Sequence, residues 1–145
     1  MTPSSAELQF PDPQVRTPAI LLVEDEVLVR LTLSDYLQEC GFKVYEAGTA
    51  SEAIEILESN QATIDLVFSD VRMPGEMDGF GLATWVRANR PGLPIILASA
   101  DGKKSEAAKD LCENEPFFAK PYDVQLVVAR IRSLIDASNK KGNAS

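Results

Sequence analysis

The feature that most constrains the fold is a regular alternation of two patterns. Short apolar or β-prone runs occur at AILLV (19–23), KVYEA (43–47), IDLVFS (64–69), PIILAS (94–99) and FFA (117–119). Between them lie segments with a helical period. AILLV is continuously apolar, as expected of a strand buried on both faces. In VLVRLTLSDYLQEC (27–40), Leu28, Leu31, Leu33 and Leu37 fall at roughly helical spacing, and Gly41 is placed as a C-cap. TASEAIEILES (49–59) opens with Thr49 and Glu52 in capping-box spacing, then sets Ala53, Ile54 and Leu57 on one stripe. Asp78 can cap GFGLATWVRANR (79–90), which Pro91 and Gly92 end. Residues 103–113 read as a short, weak helix. Asp123 can cap a last helix lined by Val124, Val127, Val128, Ile131, Leu134 and Ile135. Five strands alternating with five helices imply an α/β fold, a parallel sheet covered on both sides with right-handed crossovers. In such sheets ligands lie beyond the carboxyl ends of the strands.

The chain has 145 residues, which suits one domain with a real core. Residues 1–17 carry Pro3, Pro11 and Pro13 among polar residues and are expected to form a disordered or extended arm. The domain is expected at 18–138 and a frayed tail at 139–145. A formal net charge of −8 argues against nucleic-acid binding. The sequence contains no histidine, which removes Ser-His-Asp and Cys-His catalysis and His-ligated zinc. Cys40 and Cys112 lack metal-type spacing and are expected as reduced thiols near helix ends. No apolar run can span a bilayer and no signal-peptide pattern opens the chain, so a cytoplasmic location without membrane contact is expected.

Function should therefore lie just after the strands. Glu24, Asp25 and Glu26 follow the first, Asp70 closes the third, Ser99 the fourth, and Lys120 and Pro121 follow the fifth. Taken singly, each has a bland explanation. Asp70 could cap a turn, and EDE could be solvated surface favouring the next helix N-terminus. Their combination at successive strand ends is more specific. Carboxylates brought that close raise each other's pKa. Lys120 offsets one charge, and a hard divalent cation such as Mg²⁺ suits the rest. Asp70 could then attack a phosphoryl group held near Lys120 and Ser99.

LLVEDE (21–26), DLVFSDVRMPGEMDGF (65–80), ILASA (96–100) and FFAKP (117–121) together resemble the receiver domain of two-component response regulators. The resemblance covers about residues 18–138. It implies a flavodoxin-like, doubly wound sheet of order 2-1-3-4-5. It implies Asp70 as phosphoacceptor, Asp25 as direct Mg²⁺ ligand, Glu24 as the second acid acting through water, and the Arg72 backbone carbonyl as a further ligand. Lys120 would pair with the phosphoryl oxygens through a cis Lys120–Pro121 bond. Ser99 would be the switch hydroxyl and Phe117 the switch aromatic, which can act only by packing. MPGEMDG is one residue longer than the family's usual loop, and CENEP replaces the usual Gly-Ala step before the fifth strand. Trp85 is expected to be a packing residue. Arg72 and Asp101 are expected to pair across the pocket mouth beside Ala100, or to point separately to water.

The resemblance implies a donor, either a sensor histidine kinase or a histidine phosphotransfer protein. It also implies a downstream protein partner, met by the face of residues 103–113, the fifth strand and the last helix. A monomer or weak homodimer is expected. The polar tails suggest a stand-alone regulator, with a phosphorelay intermediate or phosphate sink as the alternative. An aspartyl-phosphate phosphohydrolase would place an acid where Arg72 stands. A flavin-binding domain would not place VEDE at its phosphate loop.

Overall fold

The computed structural model describes residues 17–59, 62–99, 117–120 and 122–143. Its elements are β1 (Ala19–Val23), α1 (Val27–Glu39), β2 (Lys43–Ala47), α2 (Ala50–Glu58), β3 (Leu66–Asp70), α3 (Gly79–Asn89), β4 (Ile95–Ser99), β5 (Phe117–Ala119) and α4 (Val124–Asn143). The strands form one parallel sheet of order β2-β1-β3-β4-β5. This is the flavodoxin-like order that the resemblance implied. The helix expected at 103–113 lies outside the described residues, as do the arm over 1–16 and Cys112.

Period-two geometry sends alternate strand residues to opposite faces. Ile20 and Leu22 of β1 join Leu66, Phe68 and Ile96 on one side, with Leu33 and Leu37 of α1 and Val127, Ile131 and Ile135 of α4. Leu21 and Val23 join Val67, Ile95 and Leu97 on the other, with Ala53 and Leu57 of α2 and Leu82 and Val86 of α3. The central strands thus need apolar residues at nearly every position, and β1 is buried throughout, while the edge strand β2 leaves Lys43 and Glu46 exposed. A fully buried Leu or Ile contributes about 1.5–3 kcal/mol by this means.

The helix signals hold with local differences. Gly41 follows the C-cap Cys40 with φ of +99°, the left-handed conformation that ends a helix cheaply. Thr49 caps α2 by accepting from Glu52 N–H at 3.1 Å. The returning Glu52 carboxylate accepts from Gly48 N–H at 2.6 Å, one residue earlier than a standard capping box. Asp78 caps α3 by accepting from Gly81 N–H at 2.9 Å. Trp85 is partly buried and packs on the α2–α3 side, as expected. Cys40 is a free thiol at the end of α1.

Three expectations are corrected. Leu28 and Leu31 do not join the α1 core face; they are 79% and 47% exposed, and Leu33 and Leu37 carry the packing with help from Val29 and Tyr36. Periodicity marked four leucines, but one helix face can meet only one stripe of the sheet. β3 begins at Leu66 rather than Ile64, because Asp65 is used as a tie to β1, its carboxylate accepting from Ala19 N–H at 2.8 Å. β4 begins at Ile95, since Pro94 has no N–H to give; its carbonyl accepts from Val67 N–H at 3.0 Å. The α4 backbone is helical to Asn143.

Candidate functional site

Strand register brings the candidate residues to one edge. Val23 lies opposite Ser69, Asp70 opposite Ala98, and Ser99 opposite Ala119. Lys120 N–H continues the ladder by donating to the Ser99 carbonyl at 2.8 Å, and Val71 N–H donates to that of Ala98 at 2.8 Å. Asp70 is thus the last residue of a paired strand, set rigidly at the mouth.

The carboxylate oxygens of Glu24, Asp25 and Asp70 lie within 4.8 Å of one another. Glu24 is only 3% exposed, while Asp25 is exposed. One Glu24 oxygen accepts from Lys120 Nζ at 3.3 Å, and the other from Glu26 N–H at 3.1 Å. Lys120 Nζ also stands 3.4 Å from Asp70 Oδ1. One ammonium therefore bridges two acids, while Asp25 joins them from the exposed rim of the pocket.

The titration directions follow from that arrangement. Burial pushes Glu24 above the ordinary carboxylate range; the Asp70 charge adds to this, and the Glu26 N–H and Lys120 oppose it. Burial likewise pushes Asp70 up, against Lys120 and the Val71 N–H, with Asp25 adding repulsion. Burial works downward on Lys120, but the charges of Asp70 and Glu24 outweigh it and hold the ammonium above its ordinary value. The two directions are consistent, because one cation is shared between two buried acids. An all-oxygen set short of positive charge fits a hard divalent cation such as Mg²⁺.

Ser99 is buried at the end of β4. Arg72 is exposed in the turn after β3. Phe117 pairs with Leu97 through its backbone. Pro121, Ala100 and Asp101 lie outside the described residues, and with them the cis bond and the Arg72–Asp101 pair.

Sequence reasoning gave no role to Tyr122, Gly79 or Arg30. Tyr122 lines the pocket, its ring 5.9 Å from that of Phe68 and 6.2 Å from that of Phe118. Its place two residues after Lys120 was visible, but an aromatic alone carries no role. Gly79 N–H donates to the Val71 carbonyl at 2.7 Å, pinning the start of α3 to the end of β3. Arg30 donates to the Glu24 main-chain carbonyl at 2.7 Å.

A family model described as the response regulator receiver domain matches residues 20–132. This chain belongs to that family. Receiver domains of two-component response regulators are phosphorylated on an aspartate. The chain is 34% identical over 118 residues to the transcriptional regulatory protein SrrA of Staphylococcus aureus, covering 80% of this chain and 47% of that protein. It is 33% identical over 118 residues to the sensor kinase CckA of Brucella abortus, covering 81% of this chain and 12% of that one. It thus spans about half of the regulator and a small part of the kinase. Among solved structures, the response regulator TrrA of Thermotoga maritima, in complex with Mg²⁺ and BeF, superposes with a TM-score of 0.70 at 26% identity. That match covers 81% of this chain and 98% of TrrA. Among the described residues, no helix is long and apolar enough to cross a membrane.

Proposed function

We propose that this receiver domain takes a phosphoryl group on Asp70 from a phosphohistidine of a sensor kinase or phosphotransfer protein. The observation that carries the reading is the convergence of Glu24, Asp25 and Asp70 within 4.8 Å, with the Lys120 ammonium between two of them. An Asp70 carboxylate oxygen forms the new P–O bond. The P–N bond breaks, and its electron pair leaves with the imidazole, which is then protonated. Lys120 is placed to balance charge on the acyl phosphate. Asp25, Asp70 and the Arg72 carbonyl would hold Mg²⁺ directly. Both Glu24 oxygens already have partners, which supports a role through water. Bound Mg²⁺ would supply neutralisation of phosphoryl charge. TrrA, solved with Mg²⁺ and BeF, supports the same site by likeness.

Intact mass with an acyl-phosphate donor and Mg²⁺ tests this reading. A gain of about 80 Da is expected for one phosphoryl group. No gain at any Mg²⁺ concentration would sink it.

The donor's docking place is read from what borders the pocket. Lys120 and Tyr122 also line an outer groove of about 750 Å³, bounded by Leu28, Val29 and Val124. Val27 and Leu28 are exposed at 54% and 79% on α1, and Leu126 at 62% on α4. A protein that reaches Asp70 with a histidine must cover this apolar rim. Leu28→Asp should slow transfer from the kinase by about tenfold, the scale of a lost interface anchor. It should leave labelling by the small donor unchanged. Equal losses with both donors would place Leu28 in the fold instead of the docking face.

On phosphorylation, Ser99 and Phe117 would shift, and the face made by residues 103–113, β5 and α4 would change partners. Capture of a partner only in the phosphorylated state distinguishes an output role from a relay or phosphate sink.

A further inference from the structure

We propose that Arg30 is a positioning residue that aims Asp25 into the acidic pocket; this rests on the reading of Glu24 and Asp25 as metal-holding acids. The short connection from β1 to α1 carries Glu24, Asp25 and Glu26 in succession. Mutual repulsion should spread such a segment. Regular pairing ends with Glu24, whose N–H donates to the Ala47 carbonyl at 3.0 Å. The N-cap of α1, Glu26, makes no side-chain cap bond. The sheet and the helix cap therefore leave the Glu24–Asp25 peptide without a hold on its carbonyl side.

Arg30 supplies that hold. It stands one turn into α1, its own N–H donating to the Glu26 carbonyl at 2.9 Å. Its Nη1 donates to the Glu24 main-chain carbonyl at 2.7 Å, and its Nε to Glu46 Oε1 on β2 at 3.1 Å. The Glu24 main chain is thus tied to β2 at both ends, its N–H directly through Ala47 and its carbonyl by way of Arg30 through Glu46. The Glu24 carbonyl shares a rigid plane with the Asp25 N–H. Fixing one fixes where Asp25 N and Cα stand, the base from which its side chain reaches the pocket. An Arg–Glu pair on the surface has a blander explanation, a weak ion pair alone. The bond to the Glu24 carbonyl goes beyond that, because a surface pair needs no main-chain acceptor beside a candidate ligand.

The two explanations differ in sign. A guanidinium near the pocket repels a divalent cation, so charge alone predicts that Arg30→Gln binds Mg²⁺ more tightly. Positioning predicts weaker binding by about tenfold, the scale seen when a ligand loses its orienting partner. Arg30→Lys keeps the charge, but its point-like ammonium cannot serve the carbonyl and Glu46 together. It should fall between wild type and Arg30→Gln. The test is calorimetric Mg²⁺ titration of the full chain as wild type, Arg30→Gln, Arg30→Lys and Asp25→Asn. Amide exchange at Asp25 and Glu26 in metal-free buffer should also quicken in both Arg30 variants. Unchanged or tighter Mg²⁺ binding in Arg30→Gln overturns the proposal. Should that variant not fold, wild-type affinity in Arg30→Lys overturns it equally. Asp25→Asn separates the two levels: if it alone loses Mg²⁺, only the role of Arg30 fails. If it binds like wild type, the metal reading fails and takes this inference with it.

Discussion

Asp70→Asn will show no mass gain with an acyl-phosphate donor, and in metal-free buffer at pH 7 it will unfold at a higher temperature than wild type. The first result follows from its place at the centre of the pocket, within 4.8 Å of two further acids and 3.4 Å from Lys120 Nζ. The second follows from the direction of its titration. Burial holds the Asp70 carboxyl above its ordinary 3.8, so the folded state disfavours the charge despite Lys120. A carboxyl raised by folding contributes stability while it is neutral, below the ordinary value. That contribution is lost as pH rises through the raised value. At pH 7 the wild type therefore carries the penalty, and the neutral amide removes it. The advantage of Asp70→Asn should shrink as pH falls and disappear below 3.8. Thermal scans of both proteins from pH 7 downward give the answer. A mutant less stable at pH 7 would mean that the Lys120 contact outweighs burial. A full mass gain in the mutant would move the acceptor elsewhere.

Gly79→Ala should lower stability by about 3 kcal/mol, the upper range for forcing an extra carbon into a packed site. Helix propensity alone predicts the opposite sign, a gain of about 1 kcal/mol for Ala over Gly in a helix interior. Geometry decides between them. A Cβ at Gly79 would overlap the Asp70 carbonyl oxygen and stand 2.7 Å from the Val71 Cα. Both are backbone atoms, so no rotamer can relieve the contact. Either α3 moves away, losing the 2.7 Å bond from Gly79 N–H to the Val71 carbonyl, or the end of β3 moves with Asp70 on it. Phosphorylation should slow along with the loss of stability. Chemical denaturation and the rate of mass gain measure the two effects. Wild-type stability in Gly79→Ala would show that the start of α3 yields at no cost.

Much of this was legible in the residues themselves, and the limits are as informative. The alternation of short apolar runs with helical stripes determined the sheet, because strands buried on both faces need apolar side chains at every position. The acids, hydroxyl and lysine were legible for a related reason. A parallel sheet gathers the residues that follow its strands at one edge, so position in the chain stands for position in space. Leu28 and Leu31 were misread, since periodicity reports an apolar side chain but not whether anything covers it. The roles proposed for Glu24 and Asp25 rest on what the fold puts around them: Lys120 and the Glu26 N–H occupy Glu24, while Asp25 stands exposed beside Asp70. Arg30 reached Glu46 and the Glu24 carbonyl only once β2 lay beside β1. The reason for a glycine at 79 appeared only when α3 was brought against the end of β3. Local chemistry and hydrophobic period were thus determined by the sequence alone. Burial, the sharing of one lysine between two acids, and the close approach of two backbones were decided by the tertiary structure, because each depends on how whole elements pack against one another.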